Sequence, residues 1–190
     1  MQGNSMLKEG YTRVTAVLSP FSGLSHVPPD ILKRAADRGT DVHLLCDAYI
    51  EGLGIPSVPD NLLGYYKSFE LWAEGKIFHP KPERFYDDDR MLTGECDAII
   101  ETDDGLVLVD FKTSSKEGKT WPLQGCAYTE MALKLGYHLV GIHFVHLLKD
   151  GSEPPVFVYD YNKHLPMWHM CFKVYKEFFN KGKYNFEDLI

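Results

Sequence analysis

The front of the chain places its apolar residues mainly at helical spacing. In three segments an apolar side chain recurs every three or four residues, which is the period that one face of a helix produces. The predicted helices are a short one over Asp30–Ala36, a longer one capped by Thr40 and ended by Gly52, and a third capped by Asp60 or Asn61 and ended by Gly75. Ahead of them, Tyr11–Leu18 alternates enough to predict a short strand or an extended segment.

From Pro82 onward the pattern changes to the two-residue alternation of strands. The predicted strands cover Glu83–Tyr86, Leu92–Glu101 and Leu106–Thr113. Asp103, Asp104 and Gly105 join the last two strands, and an Asp-Gly pair at such a position favours a tight hairpin. Three consecutive strands with short connections predict a β-meander.

The rest of the chain returns to a mixture of helix and strand. A helix is predicted over Pro122–Leu135, strands over His138–Leu148 and Val156–Tyr161, and a closing helix over Pro166–Asn180. This order predicts an α/β fold in which a central mixed sheet, with the β-meander as its core, is flanked by helices on both sides. We expect one domain over residues 1–190, with residues 1–9 flexible.

Composition narrows the possible functions. The chain has 190 residues, 44% of them hydrophobic, which is enough for one core. We expect a soluble, cytoplasmic protein without a membrane partner, because no apolar run approaches the roughly 20 residues of a membrane span and the N-terminus lacks a signal-peptide pattern. The net charge of -7 argues against a general nucleic-acid binder, so any DNA surface must be local. The four cysteines lie far apart and predict buried thiols rather than a metal site.

The residues with candidate chemistry lie within Gly94–Ser114. Asp110 and Lys112 are two apart in a predicted strand and share one face, whereas Phe111 between them points the other way. The hairpin returns Asp97 to the side of Asp110, and two adjacent carboxylates repel each other unless a cation lies between them. Oxygen ligands favour magnesium or manganese, and Lys112 can hold a phosphate oxygen or orient a water. A divalent ion held by two carboxylates, with a lysine beside it, is suited to phosphodiester hydrolysis.

The alternative is a solvated ion pair without chemistry. An Asp-x-Lys sequence on its own would usually be a surface pair of Asp110 with Lys112. The strand LVLVDFKTS is strongly apolar, however, and a surface pair is least expected at the end of a buried strand.

Four motifs follow one another in a specific order. They are R-G-T-D-V-H ending at His43, G-E-C-D ending at Asp97, D-F-K-T-S starting at Asp110, and Q-G-C-A-Y starting at Gln124. This combination resembles the RecB-like branch of the PD-(D/E)XK nuclease superfamily, over most of the chain. The resemblance implies a restriction-endonuclease-like fold, and its implied site consists of His43, Asp97, Asp110 and the main-chain carbonyl of Phe111 as ligands of Mg²⁺ or Mn²⁺, with Lys112 as the catalytic lysine. Without the family pattern, the sequence favours a packed or capping histidine at His43 over a metal ligand.

Further residues are predicted around this site. Glu83 matches an acidic residue that relatives carry on the strand before the hairpin, and strand alternation places Glu95 on the same face as Asp97. Gln124 and Tyr128 share a helix face and are predicted to contact DNA or the lysine region, with a core tyrosine and a solvated glutamine as the alternative. DNA phosphates are expected at Arg13, Thr15, Arg38 and Ser114, for which a plain surface position is the alternative.

The function implied by the resemblance is metal-dependent DNA cleavage by an exonuclease similar to those of phage recombination and repair systems. Some members of the branch bind an iron-sulfur cluster through four cysteines, three of them near the C-terminus, but only Cys171 lies there, so no cluster is expected. The expected partners are DNA and either a second copy of the chain or a recombination protein. Two alternatives stay open, a catalytically inactive DNA-binding recombination-accessory protein with the same fold and a structural metal-binding domain.

Overall fold

Helices cover both faces of a five-stranded sheet, and a second sheet of three short strands lies beside it. The computed structural model describes residues 8–55 and 57–180. The strands are β1 (Thr12–Arg13), β2 (Ile77–Phe78), β3 (Phe85–Asp87), β4 (Leu92–Gly94), β5 (Ala98–Thr102), β6 (Gly105–Lys112), β7 (Leu139–His146) and β8 (Val156–Tyr159). The helices are α1 (Val14–Leu18), α2 (Pro29–Ile50), α3 (Leu63–Ala73), α4 (Trp121–Lys134) and α5 (Tyr161–Val174), the last continued by a π-helical turn (Tyr175–Phe179).

The larger sheet has the order β2-β5-β6-β7-β8, and the smaller one has the order β1-β4-β3. In the larger sheet β6 and β7 are parallel and the other neighbours are antiparallel. Helix α4 connects the two parallel strands, as a crossover connection requires. In the smaller sheet β1 runs parallel to β4, and β3 runs antiparallel to it. The predicted mixed α/β class is therefore confirmed.

The predicted strand Leu92–Glu101 is two strands in different sheets. Strand β4 ends at Gly94, β5 begins at Ala98, and the residues between them are irregular. This break lets β4 pair with β1 and β3 while β5 pairs with β2 and β6. The predicted β-meander is therefore wrong, and of its two hairpins only β5-β6 joins neighbours in the larger sheet, with Thr102 opposite Gly105 at the predicted turn.

Alternation along β6 directs side chains into two separate cores. Leu108 packs on the side of α1, α4 and α5, in a cluster that contains the fully buried Trp168. Val109 and Phe111 pack on the side of α2 and α3, in a cluster that contains Phe69. Full burial of a large apolar side chain contributes about 1.5–3 kcal/mol, so both faces fix the register of β6.

Helix α2 is one continuous helix where two were predicted. Thr40 does not cap a helix, because its hydroxyl donates to the carbonyl oxygen of Ala36 at 3.1 Å within α2. Gly39 does not interrupt the helix, since a glycine inside a helix costs only about 1 kcal/mol and long-range packing outweighs it. Near the N-terminus, the strand predicted over Tyr11–Leu18 is restricted to β1, and its second half forms α1.

The closing helix begins earlier than predicted. The side chain of Asp160 accepts a hydrogen bond from the backbone N–H of Lys163 at 2.9 Å and caps α5, so Pro166 lies in the second turn. All four cysteines are buried and unpaired, as predicted. Among the described residues, no helix has both the length and the apolar character that crossing a membrane requires.

Candidate active site

The carboxyl end of β6 carries the central residues of the site. Asp110 and Lys112 lie on the face that packs against α4, and Phe111 between them lies on the opposite face against Phe69. The β5-β6 register pairs Ala98 with Val109, and it places Asp97, the preceding residue, beside Asp110. The backbone N–H of Asp97 donates to the carbonyl oxygen of Val109 at 3.0 Å. The hairpin therefore brings the two aspartates together, as the sequence predicted.

Asp97 is held by two groups, one on each carboxylate oxygen. Nδ1 of His43, on α2, lies 2.9 Å from Oδ1 of Asp97, and the backbone N–H of Phe111 donates to Oδ2. Burial opposes the charge of His43, but the adjacent Asp97 carboxylate outweighs it and raises the pKa of His43 to about 9. Burial also opposes the ionisation of Asp97, but His43 lowers the pKa of Asp97 below its usual range. At neutral pH the two residues form an ion pair.

Asp110 is held by a cation and an amide. Its carboxylate forms an ion pair with Lys112 and accepts a hydrogen bond from Nε2 of Gln124 at 3.0 Å. Burial raises the pKa of Asp110 to about 6, a direction in which the Asp97 carboxylate also acts, while Lys112 opposes the shift. Nζ of Lys112 also donates to Oε1 of Gln124 at 3.2 Å. The candidate catalytic lysine is therefore fixed by two partners.

Gln124 and Tyr128 support this arrangement from α4. Nε2 of Gln124 donates to the hydroxyl of Tyr128 at 3.0 Å as well as to Asp110. Gln124 and Tyr128 are both buried, with Tyr128 only 3% exposed. The predicted contact with the lysine region is therefore present. The helix face that these two residues share points inward to β6 and β4, and the DNA contact stays a prediction.

An open cleft of about 1130 Å³ lies beside His43 and Asp97. Glu83 and Glu95, the two further candidate carboxylates, both line this cleft. Glu83 is exposed and precedes β3 rather than lying within it, so its predicted strand position is wrong. Glu95 lies in the irregular segment before β5, so strand alternation does not place it, and it accepts from Nη2 of Arg84 at 2.7 Å.

The residues predicted to hold DNA phosphates are spread around the site. Arg38 is partly buried and its Nη2 donates to the carbonyl oxygen of Thr113 at 3.2 Å, which ties α2 to the end of β6. Ser114 is exposed and its hydroxyl donates to the carbonyl oxygen of Lys116 at 2.8 Å. Thr15 is exposed on α1, and of this group only Arg13 lines the cleft.

Asp47 and Lys81 are charged cleft residues that were not predicted. Asp47 lies on α2 four residues after His43, hence on the same helix face, and the H-x-x-x-D spacing in the sequence was the signal that would have found it. Burial and the nearby Asp97 raise the pKa of Asp47 to about 6. Lys81 lines the cleft from an irregular segment, where no periodicity points to it.

The donor chemistry of the site fits magnesium or manganese. Asp97 and Asp110 offer carboxylate oxygens and His43 offers an imidazole nitrogen, the donor types that these ions accept. Oδ1 of Asp110 is buried, and the ammonium group of Lys112 is its partner and balances its charge. Within residues 8–55 and 57–180, no three His, Cys, Asp or Glu side chains are already gathered as a metal-binding group. A divalent ion at this place would take over charge compensation that His43 and Lys112 now provide.

Comparison with protein-family models gives no match for this chain, and a search of curated proteins finds no significant relative.

Proposed function

We propose that this protein is a metal-dependent DNA nuclease with a restriction-endonuclease-like fold of the RecB-like PD-(D/E)XK type. The observation that carries the proposal is the convergence of Lys112, Asp110 and Gln124 beside the His43–Asp97 pair. Three sequence-distant elements, α2, the β5-β6 hairpin and α4, contribute to that cluster. A purely structural ion pair would need only two of these residues. The free energy of removing its two charges from water would also exceed the attraction between them.

Each residue has a specific role in this proposal. His43, Asp97, Asp110 and the carbonyl of Phe111 would hold Mg²⁺ or Mn²⁺, which when bound supplies Lewis-acid activation of a water and of the phosphate. Lys112 holds a non-bridging phosphate oxygen and stabilises the negative charge that develops on it. Gln124 positions Lys112, and Tyr128 positions Gln124.

The reaction class is phosphodiester hydrolysis of DNA, and the family resemblance favours exonuclease action in recombination or repair. The second candidate is a catalytically inactive DNA-binding accessory protein with the same fold. One observation favours it: among the described residues the candidate ligands are paired with protein cations rather than gathered around one point. Cleavage assays distinguish the two functions.

The test is cleavage of end-labelled single-stranded and double-stranded DNA in Mg²⁺, Mn²⁺ or EDTA. Wild type is compared with Lys112→Met and with the matched control Lys116→Met, which removes an exposed lysine from the following loop. We expect metal-dependent cleavage that falls at least a hundredfold in Lys112→Met and stays within twofold in Lys116→Met. Binding without cleavage in either metal would support the accessory protein, and equal losses in both variants would remove Lys112 from the catalytic role.

A further inference from the structure

The cleft beside Asp97 contains two cations that form no close ion pair and no hydrogen bond within the part of the chain that the structure describes. Arg13, Lys81 and Arg84 are the three Lys or Arg side chains that line it. Arg84 forms an ion pair with Glu95, since its Nη2 lies 2.7 Å from Oε2 of that residue. The side chains of Arg13 and Lys81 form neither kind of contact with a described residue, although the charge of Lys81 acts on the nearby Asp47 carboxylate and opposes the rise of its pKa.

The two cations come from separate parts of the chain. Arg13 is the last residue of β1 and Lys81 belongs to the segment between β2 and β3, so they reach the cleft from different elements. Unpaired lysine and arginine side chains in a concave site are available to neutralise phosphate groups. Two such cations can each contact one phosphate of a nucleic-acid backbone.

The cleft also offers apolar surface. Leu44, on α2, is 43% exposed, and Phe78, at the end of β2, is half-buried and lines the same cleft. Proteins that bind single strands combine cations along the backbone with aromatic or apolar side chains against the bases, since every base has an apolar face. The cleft contains both components.

The size of the cleft selects one strand over two. If the cleft is equally wide in all directions, its volume of about 1130 Å³ corresponds to a width of roughly 10 Å. This volume is close to the upper end of the range for small-ligand sites. The major groove of duplex DNA alone is about 12 Å wide, so a duplex does not fit inside. A few nucleotides of a single strand do.

We infer that this cleft binds a single DNA strand, with Arg13 and Lys81 on its phosphates and Leu44 and Phe78 against its bases. The inference rests on the proposed nuclease function, because the cleft leads to the Asp97 carboxylate. Asp47, Glu51 and Glu83 also line the cleft and repel phosphate, so tight binding requires a divalent ion.

The test measures binding of a fluorescein-labelled oligothymidylate by anisotropy in Ca²⁺, over a series of salt concentrations. The variant is Arg13→Gln with Lys81→Gln, and the matched control is Lys33→Gln with Arg34→Gln, two exposed cations of α2 that pair with Asp37 and Asp30. Both double variants change the net charge equally. We expect Kd to rise at least tenfold in the cleft variant and to stay within twofold in the control.

The salt dependence gives a second readout. Each phosphate contact to a single strand contributes about 0.7 to the slope of log K against log salt, so losing two contacts lowers the slope by about 1.4. The single variants should each lower it by about half of that amount. Equal losses in the cleft variant and the control, or an unchanged slope, would overturn the inference, and so would a blunt duplex that binds as tightly as the single strand.

Cleavage assays separate this inference from the nuclease proposal. If wild type cleaves DNA while the cleft variant keeps its KM for single strands, the inference fails and the nuclease function stands. If wild type never cleaves but binding still depends on Arg13 and Lys81, the nuclease function fails and the binding cleft stands.

Discussion

Nε2 of Gln124 lies 3.0 Å from Oδ2 of Asp110, and this hydrogen bond joins helix α4 to the strand that carries Lys112. The same amide nitrogen donates to Tyr128, and the amide oxygen accepts from Lys112. One glutamine thus fixes the carboxylate and the ammonium relative to each other. An amide is suited to this role because it donates and accepts without adding charge to a buried site.

Replacing Gln124 with leucine is expected to lower kcat for DNA cleavage by about tenfold to a hundredfold, since residues that orient a metal site from outside its ligand set have effects of that size. KM should change little, because Lys112 and the cleft cations remain. Steady-state kinetics on a short single strand measures both constants. Tyr128→Phe, which removes only the hydroxyl that Gln124 contacts, should have a smaller effect in the same direction. A wild-type kcat in Gln124→Leu would contradict the positioning role.

The ring of Tyr128 leaves no room for a side chain at Gly94. A Cβ at Gly94 would lie 2.3 Å from Cε1 of the Tyr128 ring, so Gly94→Ala should destabilise the protein by about 1–3 kcal/mol in urea unfolding. Gly54→Ala is the control, since no atom lies within 4 Å of a Cβ there, and its effect should stay within about 0.5 kcal/mol. In a Tyr128→Leu background the cost of Gly94→Ala should shrink. An equal cost in both backgrounds would show that the tyrosine ring is not the cause.

A second polar cluster is expected to give the protein a pH-dependent stability. The Glu130 carboxylate accepts hydrogen bonds from Arg90 at 2.7 and 3.1 Å and from Nε1 of Trp168 at 2.7 Å, and its Oε1 lies 2.8 Å from Nε2 of His169. Burial raises the pKa of Glu130, but the hydrogen bonds from Arg90 and His169 outweigh it and lower the pKa below its ordinary value of 4.5. Because the folded-state pKa is depressed, the stabilisation is present above pH 4.5 and is lost as the pH falls through the folded value.

Glu130→Gln should therefore reduce the free energy of unfolding at pH 7 by about 1–3 kcal/mol, the range for hydrogen bonds to a charged group. The difference between wild type and variant should narrow steadily below pH 4.5, and urea unfolding at a series of pH values measures it. A difference that is constant across this range would exclude the ionised carboxylate as its source.

The cysteines are expected to resist thiol reagents in the folded protein. All four are buried and unpaired, and burial raises the pKa of each thiol, so little thiolate is present at neutral pH. Titration with an aromatic disulfide should detect no fast-reacting thiol in the native protein and all four in concentrated guanidinium. Rapid modification of the native protein would contradict the packing around Cys46, Cys96, Cys126 or Cys171.

Local rules account for the parts of the site that the sequence predicted. Asp110 and Lys112 share a face because side chains alternate along any strand, and Asp97 returns to them because an Asp-Gly turn favours a tight hairpin. The same rules place Gln124 and Tyr128 on one face of α4, although they do not say whether that face points inward or outward. Asp47 was equally accessible to this reasoning through its four-residue spacing from His43.

Contacts between distant segments decided the other features of the site, and no local sequence pattern predicts such contacts. The residues around Glu95 continue a strand-like sequence, but the strand is interrupted there. The reason is that β4 pairs with β1 and β3, whereas β5 pairs with β2 and β6 in the other sheet. Helix α2 brings His43 to Asp97 only because its apolar face packs against the same sheet.

The sequence by itself determined the α/β class, the hairpin of β5 and β6, and the approach of Asp97 to Asp110 and Lys112. Only the tertiary structure decided that Tyr128 lies inside, that His43 pairs with Asp97, and that Arg13 and Lys81 line one cleft. The reason is that periodicity and turn chemistry act over a few residues. Burial and pairing between distant segments depend instead on the free energy of the whole packed core.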